Sequence, residues 1–69
     1  MNEEKLNMSL RKFLKNVGIN SQRLIEDKVR EAVKSGQIND SQKIKITAKI
    51  HSDSIQLSEE ISGELDLEI

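Results

Sequence analysis

Apolar residues follow two different rhythms along this chain, and the change falls near residue 40. Before it, they recur every three or four positions, which is the spacing of a helix with one buried face. After it, they alternate singly with polar residues, which is the spacing of a β-strand with one buried face. The pattern therefore predicts an α+β fold in which helical structure precedes a small antiparallel sheet.

The helical part, residues 1–36, predicts two helices. Gly18 follows the last apolar residue of the first stripe, as is typical of the left-handed residue that ends a helix. Asn20 is then a candidate N-cap for a second helix, which Gly36 ends. So short a link predicts an amphipathic αα-hairpin. Its apolar positions are Leu6, Leu10, Phe13, Leu14, Val17, Leu24, Ile25, Val29, Ala32 and Val33.

The β part, residues 43–69, predicts a hairpin or a three-stranded meander. Apolar residues are even-numbered in the first strand and odd-numbered in the second segment. Cross-strand partners lie on the same face, so an even-numbered residue must pair with an odd-numbered one. The apolar positions are Ile44, Ile46, Ala48, Ile50, Ile55, Leu57, Ile61, Leu65, Leu67 and Ile69.

We consider two registers that satisfy this parity. A two-residue turn, residues 52–53, pairs Ile50 with Ile55, whereas a four-residue loop, residues 52–55, pairs Ile50 with Leu57. The tight turn favours glycine or asparagine at positions of positive φ, which this turn lacks, so we favour the longer loop or a bulge. The charged neighbours are Lys45 and Glu60 in the first register, and Lys43 and Glu64 in the second.

The second β-segment is longer than the first, so its end from Gly63 to Ile69 is expected to extend beyond its partner. A bend at Gly63 would let it continue along residues 37–41 or turn into a third strand. Pairing with another copy of the protein is the third possibility, because an open strand edge is a template for association. We therefore predict one domain, residues 1–69, with the helical hairpin packed on one face of the sheet (ααββ or ααβββ).

Composition excludes several kinds of site. The 69 residues include no cysteine, one aromatic residue and one histidine, His51. Disulfides and thiolate metal sites are therefore impossible. His51 stands beside serines and an aspartate in the predicted turn, but a catalytic triad needs a scaffold that holds such groups at bonding distance. We predict no catalytic, cofactor-binding or metal site, no small-molecule substrate, and hence no enzyme.

The chain also shows no sign of membrane targeting. Its acidic amino terminus lacks the positive charge of a secretory signal, and no apolar run approaches the roughly 18 residues that cross a bilayer. We expect a cytoplasmic protein without a membrane partner.

Charge is distributed unevenly along the chain. Residues 1–36 carry eight lysines and arginines against five acidic residues, whereas residues 37–69 carry three against seven. A basic helical face permits an alternative function, in which residues 13–34 bind nucleic acid as a helix-turn-helix-like segment. The acidic residues of that segment oppose phosphate binding. The contacts in this alternative would come from Arg23, Lys28 and Arg30.

The favoured function is a non-enzymatic protein-interaction or self-assembly module, homodimeric through its carboxyl-terminal strand. The exposed sheet face and the strand edge near the carboxyl terminus are its candidate surfaces. The predicted interface residues are Lys45, Lys49, Glu60, Glu64, Leu65, Asp66, Leu67, Glu68 and Ile69.

Three segments carry a resemblance to a known family. Residues 7–18 read NMSLRKFLKNVG, Ser21 and Gln22 follow, and residues 29–33 read VREAV before Gly36. With the alternating acidic end, they resemble a family of small bacterial proteins classed as a domain of unknown function. The resemblance implies an N-terminal helical hairpin followed by a β-segment, and it supplies no activity to transfer. Family members tend to have proline or glycine in the hairpin turn, where this chain has Ser-Asp-Ser.

Overall fold

The structure is a computed structural model that describes residues 1–68. One helix, α1 (Glu3–Lys34), is followed by two strands, β1 (Lys43–Ser52) and β2 (Leu57–Asp66). The predicted α+β class is confirmed. The chain divides into a helical unit, Met1–Gln37, and a β unit that begins at Ile38. That the two units form one domain, with helical residues packed on the sheet, stays a prediction.

Helix α1 begins at a side-chain cap. The Oδ1 atom of Asn2 accepts a hydrogen bond of 3.1 Å from the backbone N–H of Lys5, which satisfies one of the four amides that a helix leaves unpaired at its start. Glu3 and Glu4 occupy the first turn, where negative charge interacts favourably with the helix dipole.

Gly36 terminates the helix, as the sequence predicts: the last helical residue is Lys34, and Ser35 is the C-cap. This glycine has φ +80°, and its N–H donates to the carbonyl of Val33 at 3.1 Å. The N–H of Gln37 donates to the carbonyl of Ala32 at 2.9 Å. These two bonds form a Schellman motif, in which a left-handed residue lets the chain satisfy the last helical carbonyls.

The predicted two-helix hairpin is wrong, because α1 is one helix of 32 residues that continues through Gly18. Asn20 caps nothing: its side-chain amide donates to the carbonyl of Asn16, one turn earlier, at 2.9 Å. Glycine inside a helix costs about 1 kcal/mol relative to alanine. Ending the helix there would leave several backbone groups without partners, so continuing it through one glycine is the smaller penalty.

The two strands form an antiparallel hairpin with a register that differs from both predicted ones. Ser52 pairs with Leu57, so the loop is residues 53–56. The predicted length of four residues is correct, but the loop begins one residue later than predicted. Gln56 has φ +53°, and its N–H donates to the carbonyl of Asp53 at 3.3 Å. A left-handed glutamine closes this loop without the glycine that such positions usually take.

This register removes the expected overlong tail. Both strands have ten residues, and Gly63 lies opposite Ile46 within the ladder. Gly63 therefore introduces no bend in β2, and the sheet of the described residues has two strands and no third one. The ladder ends where Asp66 pairs with Lys43, so of the described residues on that side only Leu67 and Glu68 lie beyond it. The predicted role of Ile69 lies outside the described residues.

The substitution Gly18→Ala tests the continuous helix. A Cβ at Gly18 meets nothing within 4 Å, so alanine should raise the free energy of unfolding by about 0.5–1 kcal/mol. The matched control is Gly36→Ala, which forces alanine into the left-handed region and should lower it by about 1 kcal/mol. Urea titrations followed by circular dichroism, at one protein concentration, measure both. A loss of stability at Gly18 would contradict the continuous helix.

The two asparagines provide a second test. Asn2→Ala removes the cap and should cost about 1 kcal/mol of helix stability. Asn20→Ala places a better helix former inside α1 and should raise stability by a few tenths of a kcal/mol. Thermal melts of the two variants measure the contrast. Equal losses at both positions would mean that a second helix begins at Asn20.

Candidate functional site

The polar face of the hairpin contains basic residues on β1 and acidic residues on β2. The register places each lysine of β1 directly opposite a carboxylate of β2. In the middle of this face, the hydroxyls of Thr47 and Ser62 lie 3.1 Å apart, within hydrogen-bond distance. The opposed charges are Lys43 and Asp66, Lys45 and Glu64, and Lys49 and Glu60.

These charges interact as exposed neighbours. Among the described residues, no lysine nitrogen of this face lies within 4.0 Å of a carboxylate oxygen of β2. Opposite charges at directly paired positions still contribute roughly 0.2–1 kcal/mol each, and they favour this register over others. Five of the predicted interface residues are therefore brought onto one face, where their charges compensate one another.

The remaining predicted interface residues lie elsewhere. Leu65 is opposite Ile44 on the apolar face, and Leu67 is half-buried beyond the end of β2. The backbone N–H of Glu68 donates to Oδ1 of Asp66 at 3.1 Å, a local turn that ends the strand. The predicted set is thus divided between two faces and does not form one surface.

The apolar face of the hairpin contains half-buried and exposed side chains. Ile61, in the middle of β2, has 64% of its surface exposed. Glu59 lies on the same face, opposite Ile50, so a carboxylate interrupts the apolar row. Sequence reasoning missed Glu59, although its odd number assigns it to the apolar face by the same parity as Leu57.

Helix α1 also exposes apolar side chains. Phe13 is 59% exposed and Leu24 is 68% exposed. They belong to a stripe whose members follow the helical repeat of three, four or seven residues, so that they lie along one side of the helix. Its exposed members are Leu6, Leu10, Phe13, Leu14, Val17 and Leu24.

The residues predicted to bind nucleic acid lie on this continuous helix. The turn of a helix-turn-helix is therefore absent from residues 13–34. The Arg30 guanidinium contacts the carboxylates of Glu26 and Asp27, both at 3.3 Å, and Lys28 Nζ lies 3.5 Å from Glu31. Phosphate binding by Arg30 or Lys28 would compete with these pairs. Arg23, the third predicted contact, lies on the same helix.

His51 and Asp53 meet at the hairpin loop. Nε2 of the histidine lies 3.0 Å from Oδ1 of the aspartate, and both side chains are exposed. In the described chain no serine hydroxyl is hydrogen-bonded to His51, and no three potential metal ligands are grouped. The pair is a local contact at the end of β1, open to water.

The comparisons with known proteins establish the family. A family model, described as a family of unknown function (DUF6494), matches residues 1–68. The chain belongs to this family. No curated protein and no solved structure matches it. The resemblance to a family of unknown function is thereby confirmed, and membership of DUF6494 assigns no activity to the faces and edges described above.

Among the residues described for this DUF6494 chain, no helical stretch is both long enough and apolar enough to cross a membrane.

A charge-swap experiment tests the register of the hairpin. Lys45→Glu places two carboxylates opposite each other and should lower the free energy of unfolding by up to about 1 kcal/mol. Adding Glu64→Lys restores the opposite charges and should recover most of this loss. A double-mutant cycle in urea measures the coupling.

The control double variant, Lys45→Glu with Glu60→Lys, should be less stable than Lys45→Glu alone. In the observed register it places like charges opposite one another at two positions, because Glu60 pairs with Lys49. Recovery with Glu60→Lys, and not with Glu64→Lys, would instead support the register of the two-residue turn.

Proposed function

We propose that this protein is a small, non-enzymatic self-association module. One observation carries the proposal: no described side chain is buried, although about a third of the chain is hydrophobic. A domain of this size gains stability mainly by removing apolar surface from water. Contact with a further copy would supply burial that neither unit achieves within itself.

The helix supports the proposal through its length and exposure. A helix of 32 residues is about 48 Å long at about 1.5 Å per residue. Most of the stability of protein helices comes from packing an amphipathic face against another element. The stripe from Leu6 to Leu24 is such a face, and its side chains are about one third to two thirds exposed.

The β unit supports it for a similar reason. A two-stranded hairpin alone is marginally stable in water, and stability usually needs a third strand or an element packed on its apolar face. The apolar face of β1 and β2 contains four isoleucines, Ile44, Ile46, Ile50 and Ile61, of which Ile61 is the most exposed. Association would provide the additional strand or the packing partner.

The predicted overlong carboxyl-terminal tail is not the surface that supports a homodimer. Residues 63–66 already pair with residues 43–46, so their backbone groups on the side facing β1 are occupied. Self-association is supported by the outer edge of each strand, by the apolar stripe of α1 and by the apolar face of the hairpin.

Sedimentation equilibrium tests the proposed function. The chain has a mass of 7.9 kDa, and we expect the weight-average mass in moderate salt to exceed this value and to rise with protein concentration. The same chain in concentrated urea supplies the monomer reference. A mass of 7.9 kDa throughout a wide concentration range would contradict the proposal.

A further inference from the structure

The hairpin has two open edges. Because the sheet of the described residues consists of β1 and β2 alone, each strand has a neighbour on one side only. Along the other side, alternate residues direct backbone N–H and C=O groups away from the partner strand. Each edge could therefore accept a further strand through main-chain hydrogen bonds.

The two edges differ completely in charge. Strand β1 contains Lys43, Lys45 and Lys49 and no acidic residue. Strand β2 contains four acidic residues and no lysine or arginine. The acidic residues are Glu59, Glu60, Glu64 and Asp66.

This segregation disfavours a symmetric pairing of like edges. If β2 paired with β2 of a second copy, no register could place a carboxylate opposite a basic residue, because the strand has none. If β1 paired with β1, lysines would have only lysines as charged partners. Like charges at opposite positions destabilise a strand pair.

Pairing of unlike edges places opposite charges beside one another. A second copy displaced along the sheet by two strand spacings, about 9.5 Å, brings its β1 beside the outer edge of β2. If that pair repeats the observed register, Lys45 and Lys49 of the second copy lie beside Glu64 and Glu60. The apolar residues of both copies then remain on one face of a continuous antiparallel sheet.

We propose that the outer edge of β2 binds β1 of a second copy, and that copies add in one direction along the sheet. This inference rests on the proposed self-association and names its surface and its partner. Since the two contacting edges differ, the interface is heterologous, and such an interface continues to grow unless it closes into a ring. The chain therefore forms a series of oligomers and not a dimer alone.

Glu59 limits this growth. It lies on the apolar face opposite Ile50, and an inward-directed charge is one of the devices by which strand edges resist pairing. Glu59→Thr removes this charge and none of the lysine–carboxylate pairs of the polar face. It should increase the weight-average mass at a given protein concentration.

The decisive experiment measures association of the full chain in the presence of a synthetic peptide with the sequence of β1, residues 43–52. The peptide should occupy the outer edge of β2 and return the mass towards that of the monomer. A matched control peptide, with glutamate at the positions of the three lysines, should have no such effect. Raising the salt from about 0.1 to about 1 M shortens the Debye length from about 10 to about 3 Å and should weaken association about tenfold.

Four results would overturn the inference while leaving self-association intact. The first is a weight-average mass that does not rise above that of the dimer. The second and third are equal inhibition by the two peptides and no effect of either peptide. The fourth is loss of association in Leu10→Asp, on the helix stripe, when the β1 peptide has no effect. A monomer at every concentration would instead contradict the proposed function itself. Inhibition by the lysine peptide alone, together with growth beyond the dimer, would support the edge pairing.

Discussion

The organisation of this chain depends on one geometric constraint: a single helix has no interior, and neither does a two-stranded sheet. Within helix α1 the apolar stripe from Leu6 to Leu24 therefore stays exposed, and within the hairpin Ile61 stays exposed as well. No described side chain of either unit reaches full burial. Apolar surface in this arrangement is available for contact, and that availability is the physical basis for proposing self-association.

The hairpin register decides what kind of contact the β unit can offer. Strand β1 is basic and strand β2 is acidic, and the register places every lysine of β1 opposite a carboxylate of β2. A shift of two residues would preserve the apolar face, because side chains alternate with a period of two, but it would change every charged pair. The same complementarity that holds β1 and β2 together distinguishes the two outer edges. Unlike edges are therefore the favourable partners.

Parts of this structure could be predicted from the sequence because they depend on local chemistry. The alternating pattern located both strands, and Gly36 marked the end of the helix because only glycine adopts φ +80° at little cost. Gly18 was misleading, since a glycine after an apolar residue also occurs inside helices. A signal was present, however: Leu24 and Ile25 follow Val17 by seven and eight residues, which preserves the helical phase across Gly18. The register could not be predicted, because Gln56 gives no indication of its left-handed conformation, and Glu59 was overlooked among the apolar positions.

Hydrogen exchange at low and high protein concentration tests the central claim most directly. If copies associate through the edges of the hairpin, backbone amides on the outer sides of β1 and β2 become protected as concentration rises, because they acquire hydrogen-bond partners. The account predicts concentration-dependent slowing at alternate residues of both strands, while the amides that already link β1 to β2 change less. Exchange rates throughout residues 43–66 that do not depend on protein concentration would contradict it.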